Sequence, residues 1–290
     1  MSGNLIDLRR RIGSVKNTQK ITRAMKTVSA AKLRKSVVEI NSSGPILEKI
    51  EYLISRVRQT SESSQNPLMK ERDTGNTVIV AISADKGLCG SFNSNIIKSA
   101  EMLYKEKLDQ DEEPQLITIG KKASIYFGKR NFNIKKQFPD IMSKLKFNDA
   151  KEISDYLQDI FLNENIKEIK FVYTAFLSSA NQKVSEKQLF PVAFEQVEGE
   201  PGDEVEYIFE PDPGEIFKSL LPKYINSIIF YTLLQSSASE HASRMVAMEL
   251  ATTNASEMIS SLTLTMNKLR QASITKELLE IITATEALAK

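Results

Sequence analysis

Cysteine, histidine and tryptophan are almost missing from this chain. Its 290 residues include one cysteine, one histidine and no tryptophan. The single Cys89 excludes an internal disulfide framework, and the single His241 leaves no Cys/His cluster with the spacing of zinc ligands. These absences predict a protein of a reducing compartment that has no structural metal site.

Long apolar runs are missing as well. No stretch reaches the roughly 18 residues of a membrane-spanning helix, and the first residues lack the apolar core of a secretory signal. The content of 41% hydrophobic and 26% charged residues is that of an ordinary globular protein. We therefore expect one or two folded domains and no direct membrane insertion.

Motifs for catalysis and nucleotide binding are also absent. The turn SADKGLCGSFN at residues 83–93 follows an apolar run, but its glycines have neither the dinucleotide nor the P-loop spacing. No Ser/His/Asp set stands out, and no histidine lies near Cys89 to activate it. The sequence predicts a tight turn with a surface cysteine, and no catalytic, cofactor-binding or metal residue. The turn residues that we single out are Lys86, Gly87, Cys89 and Gly90.

A long helix is the most distinct feature that the chain does contain. Residues 241–288 include no proline and no glycine. Their apolar and small residues recur at intervals of three and four, which is the heptad spacing of a coiled-coil seam. The seam positions are Met245, Met248, Thr252, Ala255, Ile259, Leu262, Met266 and Leu269, followed by Leu278, Ile281, Thr285 and Leu288. Such a seam requires a long partner.

The N-terminus supplies a second heptad pattern. Leu5, Leu8, Ile12 and Val15 have the spacing, and the stripe then continues in a shifted register. The shifted positions are Ile21, Met25 and Val28, then Leu33, Val37, Ile40, Leu47, Ile50, Ile54 and Val57. We expect a helix over residues 3–58 with a kink at Gly44 and Pro45, paired antiparallel with the C-terminal helix as an irregular coiled coil.

The middle of the chain alternates between strand and helix patterns. Strands are predicted at 77–83, 115–120, 133–138, 168–178 and 184–192, and helices at 91–108, 121–130 and 149–163. This alternation predicts a parallel, Rossmann-like α/β domain inserted between the two long helices. The expected division is 1–60 for the first helix, 61–74 for a linker, 75–195 for the α/β domain, 196–214 for a loop and 215–290 for the last helix.

Charge is uneven along the chain and leaves an alternative open. Residues 1–58 contain 13 Lys and Arg against 4 Asp and Glu, although the whole chain has a net charge of +2. A basic coiled-coil protein that binds nucleic acid, or a scaffold protein, would also explain a basic helix. The basic residues alternate with seam positions and no aromatic stacking platform accompanies them, so nucleic acid is not the preferred partner.

Five motifs in order resemble those of the gamma-subunit family of F-type ATP synthases. They are NTQKITRAMKTVSAAKLRK at 17–35, DKGLCGSFN at 85–93, EPDP at 210–213, ASRMVAMELATTNA at 242–255 and NKLRQASITKELLEI at 267–281. The resemblance implies a non-catalytic central shaft that turns inside a ring of three alpha and three beta subunits and so couples proton flow to ATP synthesis or hydrolysis. It also implies that the α/β foot binds the epsilon subunit and the c ring, with the delta subunit in the same complex. The expected location is the cytoplasmic face of a bacterial plasma membrane, as a peripheral protein.

The same resemblance assigns roles to individual residues. The residues expected to contact the beta subunit are Arg270, Gln271, Thr275 and Glu277. Met25 and Arg244 match positions at which the family couples the two helices. The residues expected near the c ring and epsilon are Tyr207, Glu210 and Asp212.

Overall fold

The computed structural model describes residues 2–60, 66–194, 210 and 212–288. Two long helices enclose an α/β segment in the chain order, as the alternation predicts. The elements are α1 (Ser2–Thr60), β1 (Asn76–Ile82), α2 (Phe92–Asp109), β2 (Gln115–Ile119), α3 (Lys121–Gly128), β3 (Ile134–Phe138), α4 (Phe147–Asn163), β4 (Ile166–Phe176), β5 (Gln182–Phe190) and α5 (Pro213–Leu288). The predicted fold class, two long helices with an inserted α/β domain, is confirmed.

The five strands form one sheet in the order β3-β2-β1-β4-β5. Strands β1 to β4 pair in parallel, whereas β5 runs antiparallel to β4. The expectation of a purely parallel sheet is therefore wrong at its last strand. The cause is the short connection 177–181, because a few residues can join antiparallel neighbours whereas a parallel pair needs a long crossover.

Residues 30–243 form one compact unit, the α/β unit. Its sheet is covered on both faces, and β1 alternates between them: Ile79 and Ala81 face α2 and α3. Val78, Val80 and Ile82 face the other side, where α4 packs with the parts of α1 and α5 that belong to this unit. Such two-sided burial explains why the parallel strands read as continuous apolar runs.

Both long helices contain a proline without ending at it. Helix α1 continues through Gly44 and Pro45, and α5 continues through Pro222. At Gly44 a Cβ would lie 3.6 Å from the ring of Tyr231, which is an ordinary van der Waals contact, so the packing there does not require glycine. Residues 61–65, where we predict the start of the linker, lie outside the described residues.

The second compact unit, the helical unit, combines residues 1–29 with 244–290. The α1 part of its seam differs from the prediction. Ile21 and Val28 are 60% and 57% exposed, while Thr22 and Ser29 are only 8% and 3% exposed. The shielded positions after Val15 keep the original heptad spacing, so the predicted register shift is wrong. A prediction based on apolar residues alone selects Ile21 and Val28, which lie on the exposed side of α1.

Candidate functional site

Three polar contacts join α1 and α5 within the helical unit. Gln19 Nε2 donates a hydrogen bond to Ser256 Oγ, and the hydroxyls of Thr22 and Thr252 lie 2.7 Å apart. The third contact is an ion pair of 2.6 Å between Lys26 Nζ and Glu249 Oε1. Rising numbers on α1 meet falling numbers on α5, so the helices are antiparallel as predicted. We call these six residues the polar ladder.

The ladder also defines the register of the two helices. The two residue numbers of each pair add up to 274 or 275. The first turn of α1 therefore lies level with Arg270 and Gln271 of α5. From about residue 274 onward, α5 therefore has no α1 residue opposite it. Its side chains there include exposed Ile274, Leu278, Leu279, Ile281 and Ile282. This segment of helix cannot bury its apolar face within the described residues of its own unit.

The residues expected to contact the beta subunit lie on this part of α5. Arg270, Gln271, Thr275 and Glu277 are all exposed. The Thr275 hydroxyl donates to the carbonyl oxygen of Gln271 at 3.0 Å, and Glu277 Oε1 accepts from the hydroxyl of Ser273 at 3.2 Å. Arg270 makes no hydrogen bond or ion pair with any residue that the structure describes. Its guanidinium group is therefore available to a planar acceptor on a partner.

The two residues expected to couple the helices are not opposite each other. Met25 is half-buried in α1, and Arg244 is 9% exposed in α5. The ladder register sets Met25 level with Glu249 and Leu250, more than one helical turn from Arg244. Of the two hydroxyl residues that meet across the helices, Thr252 is one of the predicted seam positions, whereas Thr22 was not predicted because it is polar. A strict heptad count from Val15 would have found Thr22.

The glycine-containing turn between β1 and α2 is held by hydrogen bonds from its neighbours. Asn93 Oδ1 accepts from the backbone N–H of Ala84 at 2.9 Å, and Asn93 Nδ2 donates to Cys89 Sγ at 3.1 Å. Lys86 and Gly90 face solvent, with Gly90 at a φ of 58°. Cys89 is buried, so the prediction of a surface cysteine is wrong. The thiol packs as a small apolar group under the turn.

Phosphate would find no space beneath this turn. Ser83 and Ala84, at the carboxyl end of β1, are completely buried. Gly120, at the end of β2, has a φ of 86° and approaches so closely that a Cβ would lie 2.1 Å from the oxygen of Ser83. The strand ends where α/β folds often hold nucleotides are therefore filled by the protein itself.

Within the α/β unit, a buried charge cluster joins α2 to the sheet. Lys107 Nζ lies 2.8 Å from Glu168 and 3.6 Å from Glu112, and the Thr77 hydroxyl contacts both carboxylates. Burial disfavours the charged forms of Lys107 and Glu168, but the attraction between the two charges outweighs this effect of burial. As a result the pKa of Lys107 is raised by Glu168 and Glu112, and the pKa of Glu168 is lowered by Lys107 and Lys170.

The residues expected near the c ring precede α5. Tyr207 lies outside the described residues, while Glu210 and Asp212 are exposed. Asp212 caps the helix, because its Oδ2 accepts from the backbone N–H of Gly214 at 2.8 Å. Glu210 is left as an exposed acidic side chain beside this cap.

Neither a membrane-spanning helix nor a metal-ligand cluster occurs among the described residues. None of the described helices has the combination of length and apolarity required to span a membrane. No group of three or more His, Cys, Asp or Glu side chains in the described ranges has a geometry suited to a metal ion.

Comparison with known proteins covers nearly the whole chain. The family model described as ATP synthase matches residues 4–288. An ATP synthase gamma chain of Pelotomaculum thermopropionicum is 42% identical over 98% of this chain and 99% of its own length. Another from Chlorobium phaeobacteroides is 39% identical over 98% of both chains. These matches do not favour the nucleic-acid or scaffold alternative.

Solved structures share the fold. A chain of the Euglena gracilis mitochondrial ATP synthase, in a structure of OSCP, F1 and c ring, matches with a TM-score of 0.71 and 18% identity over 99% of this chain and 95% of its own. A chain from the central stalk and c ring of the Tetrahymena thermophila enzyme matches with a TM-score of 0.58 and 24% identity. It covers 80% of this chain and 99% of its own length.

Proposed function

Because this chain belongs to the ATP synthase gamma-chain family, we propose that its helical unit is the shaft that turns inside the catalytic head and couples rotation to ATP synthesis or hydrolysis. As a gamma chain it is a non-catalytic subunit. The observation that carries the shaft assignment is the unpartnered apolar end of α5. A regular helix with Leu278, Leu279, Ile281 and Ile282 exposed requires other chains around it.

The exposed apolar residues of α1 support the same proposal. Ile6, Ile21 and Val28 point away from the seam in the helical unit. A two-helix pair that functioned alone would place its apolar side chains in the seam and its polar ones outside. In this unit Ile12 and Met248 do lie in the seam, but the apolar side chains left outside it suit an outer sleeve, which we propose is the ring of three alpha and three beta subunits.

The polar ladder suits a shaft that transmits torque. Hydrogen bonds and ion pairs have directional geometry, whereas apolar contacts allow neighbouring helices to slide. The contacts Gln19–Ser256, Thr22–Thr252 and Lys26–Glu249 therefore favour one register, so that the two helices turn together.

Residue-specific contact with the beta subunit is proposed for Arg270, Gln271, Thr275 and Glu277. A contact made equally in three orientations cannot bias three catalytic sites, so asymmetry must come from directional groups. Exposed Arg270 has the bidentate geometry to grip a carboxylate or carbonyl group on one neighbour at a time.

The other partners are proposed for the α/β unit and the loop before α5. We expect the epsilon subunit and the c ring to dock near Tyr207, Glu210 and Asp212, with the delta subunit in the same complex. The location that fits these partners is the cytoplasmic face of a bacterial plasma membrane, without direct insertion. A Tyr207→Cys variant should then form cross-links to a c subunit, and cross-links only to alpha or beta would contradict this polarity.

Reconstitution tests the shaft directly. The chain would be assembled with alpha and beta subunits, immobilised through the ring, and labelled with a bead at Lys187→Cys, an exposed position on β5. Addition of ATP should rotate the bead in three steps per turn. The matched control uses chain truncated after residue 263, which keeps the α/β unit and lacks the exposed α5 end.

Two results would contradict the assignment. One is a stable complex in which the bead stays fixed while ATP is hydrolysed at the normal rate. The other is normal rotation with the truncated chain, because the proposed sleeve contacts would then be dispensable.

A further inference from the structure

A groove in the α/β unit is lined by residues to which the shaft proposal assigns no role. It has a cavity volume of about 470 Å³, which is within the range of small-ligand sites. Its walls come from α1, from the loop 142–146 before α4, and from α5. All of its lining residues belong to the same compact unit.

Positive charge dominates the rim of this groove. Lys32 and Lys35 line it from α1, and Lys144 and Lys146 line it from the loop. Lys35 lies 3.7 Å from Glu39, the one acidic residue in the lining. The other three lysines make no ion pair with any residue that the structure describes. Like charges brought together in this way repel, and a bound anion would relieve the repulsion.

Polar groups form the floor. His241 is 6% exposed, and the hydroxyls of Ser36 and Ser237 lie beside it in the lining. The imidazole Nδ1 is 2.9 Å from Oε2 of its neighbour Glu240 but makes no hydrogen bond within the described part of the chain. This approach to the Glu240 carboxylate is the one polar contact of Nδ1 among the residues that the structure describes, so the imidazole adds a polar surface to the groove and the lysines are the groups that would hold an anion.

The lining also indicates which kind of anion fits. It contains no Phe or Tyr, so a nucleobase would have no aromatic ring on which to stack. Lysine ammonium groups bind phosphate oxygens as mobile point charges. Several lysines around one cavity suit a short chain of phosphates, which carries several negative charges, better than a single orthophosphate.

We propose that this groove binds a phosphate-chain anion, of the class of diphosphate and triphosphate, through Lys32, Lys144 and Lys146 with His241 at the floor. The anion is either an inorganic polyphosphate or the triphosphate group of a nucleotide whose base stays outside the groove. This site is independent of the shaft function, and it is tested on the isolated full-length chain.

The single histidine makes the test specific. The ring C–H signals of His241 need no assignment in a proton–carbon NMR spectrum, because the chain has no other histidine. Sodium tripolyphosphate would be added at constant ionic strength, with binding measured in parallel by calorimetry. We expect the His241 signal to shift and saturate with the calorimetric affinity, and orthophosphate to bind about tenfold more weakly because it meets fewer lysines.

Two double variants are compared, and each removes the same number of positive charges, one inside the groove and one outside it. Lys144→Ala with Lys146→Ala should weaken tripolyphosphate binding by about tenfold or more. Lys183→Ala with Lys187→Ala removes the same charge from the exposed face of β5 and should change it less than about twofold. Both pairs are exposed, and thermal melts followed by circular dichroism check that folding is preserved.

Four outcomes would overturn the proposal. Equal weakening by both variant pairs would mean unspecific charge attraction, and calorimetric binding without a His241 shift would mean another site. A shift with an acidic peptide but not with tripolyphosphate would make the groove a protein-docking surface. ATP that binds about tenfold more tightly than tripolyphosphate would mean that the base is recognised, whereas equal affinities support a phosphate-chain site.

Discussion

The α/β unit and the helical unit differ in how fully they bury their apolar side chains. In the α/β unit, Ile79 and Ile117 are completely shielded in cores on the two faces of the sheet. In the helical unit, Thr22 and Ser29 are buried while Ile21 and Val28 face outward. The first unit builds an extensive core on both faces of its sheet, and the second leaves much of its apolar surface for other chains.

This difference indicates where each unit obtains its stability. Burying apolar surface contributes about 25 cal/mol per Å², so the α/β unit has the larger internal driving force for folding. The helical unit has one narrow seam with polar members, and isolated helices are only marginally stable. We therefore expect the helical unit to gain most of its order on assembly.

The largest expected effect tests this contrast with an isoleucine-to-alanine substitution at one position in each unit. Ile79→Ala should lower the free energy of unfolding of the α/β unit by about 4 kcal/mol, because it leaves a cavity beside α2. Ile21→Ala should change it by less than about 0.5 kcal/mol. All 8 tyrosines lie between residues 52 and 231, so tyrosine fluorescence during urea unfolding reports on the α/β unit alone. A similar loss in both variants would remove the contrast.

The second effect concerns the exposed end of α5 in the assembled complex. Arg270→Ala with Gln271→Ala should reduce coupling by about 3 kcal/mol in the orientation where the contact forms, because a desolvated charged hydrogen bond is lost. Deletion of residues 285–290 should have a smaller effect, since it removes contacts made in every orientation. ATP synthesis and cooperative hydrolysis would be measured for both. A crippling truncation with a silent double substitution would move the gripping element to the tip.

The third effect concerns the buried charge cluster of the α/β unit. Glu168→Gln should lower the free energy of unfolding by about 2 kcal/mol at neutral pH, because charge-assisted hydrogen bonds to Lys107 are weakened. The folded pKa of Glu168 is lowered, so its contribution is present above the ordinary value of 4.5 and is lost as the pH falls through the folded pKa. The folded pKa of Lys107 is raised, so its contribution is lost as the pH rises through that value.

Urea unfolding over a range of pH values checks this prediction. The difference between the original chain and Glu168→Gln should be widest between these limits and should shrink at both ends. Glu39→Gln, which weakens an exposed pair with Lys35, is the control and should cost less than about 0.5 kcal/mol. A pH-independent difference would mean that packing, not charge, holds the cluster.

The smallest effect concerns the polar ladder. Thr22→Val should cost about 1 kcal/mol or less, since Thr252 keeps its hydrogen bond to the carbonyl of Met248. A double-mutant cycle with Thr252→Val would isolate the coupling between the two hydroxyls. Hydrogen exchange of amides 14–28 and 246–258 is the measurement, with exposed Thr27→Val as the control. Additive effects would mean that the ladder does not set the register.

Local patterns in the sequence predicted most of the elements. The strand at 134–138 and the helix at 92–109 were found within two residues, because apolar periodicity and turn residues both mark them. The antiparallel direction of β5 was not predicted, although the few residues between the predicted strands 168–178 and 184–192 are too short for a parallel crossover. The groove around His241 was also missed, because α1, α5 and the loop before α4 are far apart in the sequence.

The sequence by itself determined that two long heptad helices enclose an α/β segment, since periodicity and the spacing of turn residues are local properties of the chain. It also carried the family motifs, from the glycine turn near Cys89 to Arg270 and Gln271. Only the tertiary structure decided that Cys89 is buried and that Thr22 rather than Ile21 lies in the seam. Burial depends on what the rest of the chain covers, and a two-helix pair covers one stripe of each helix whether its residues are polar or apolar.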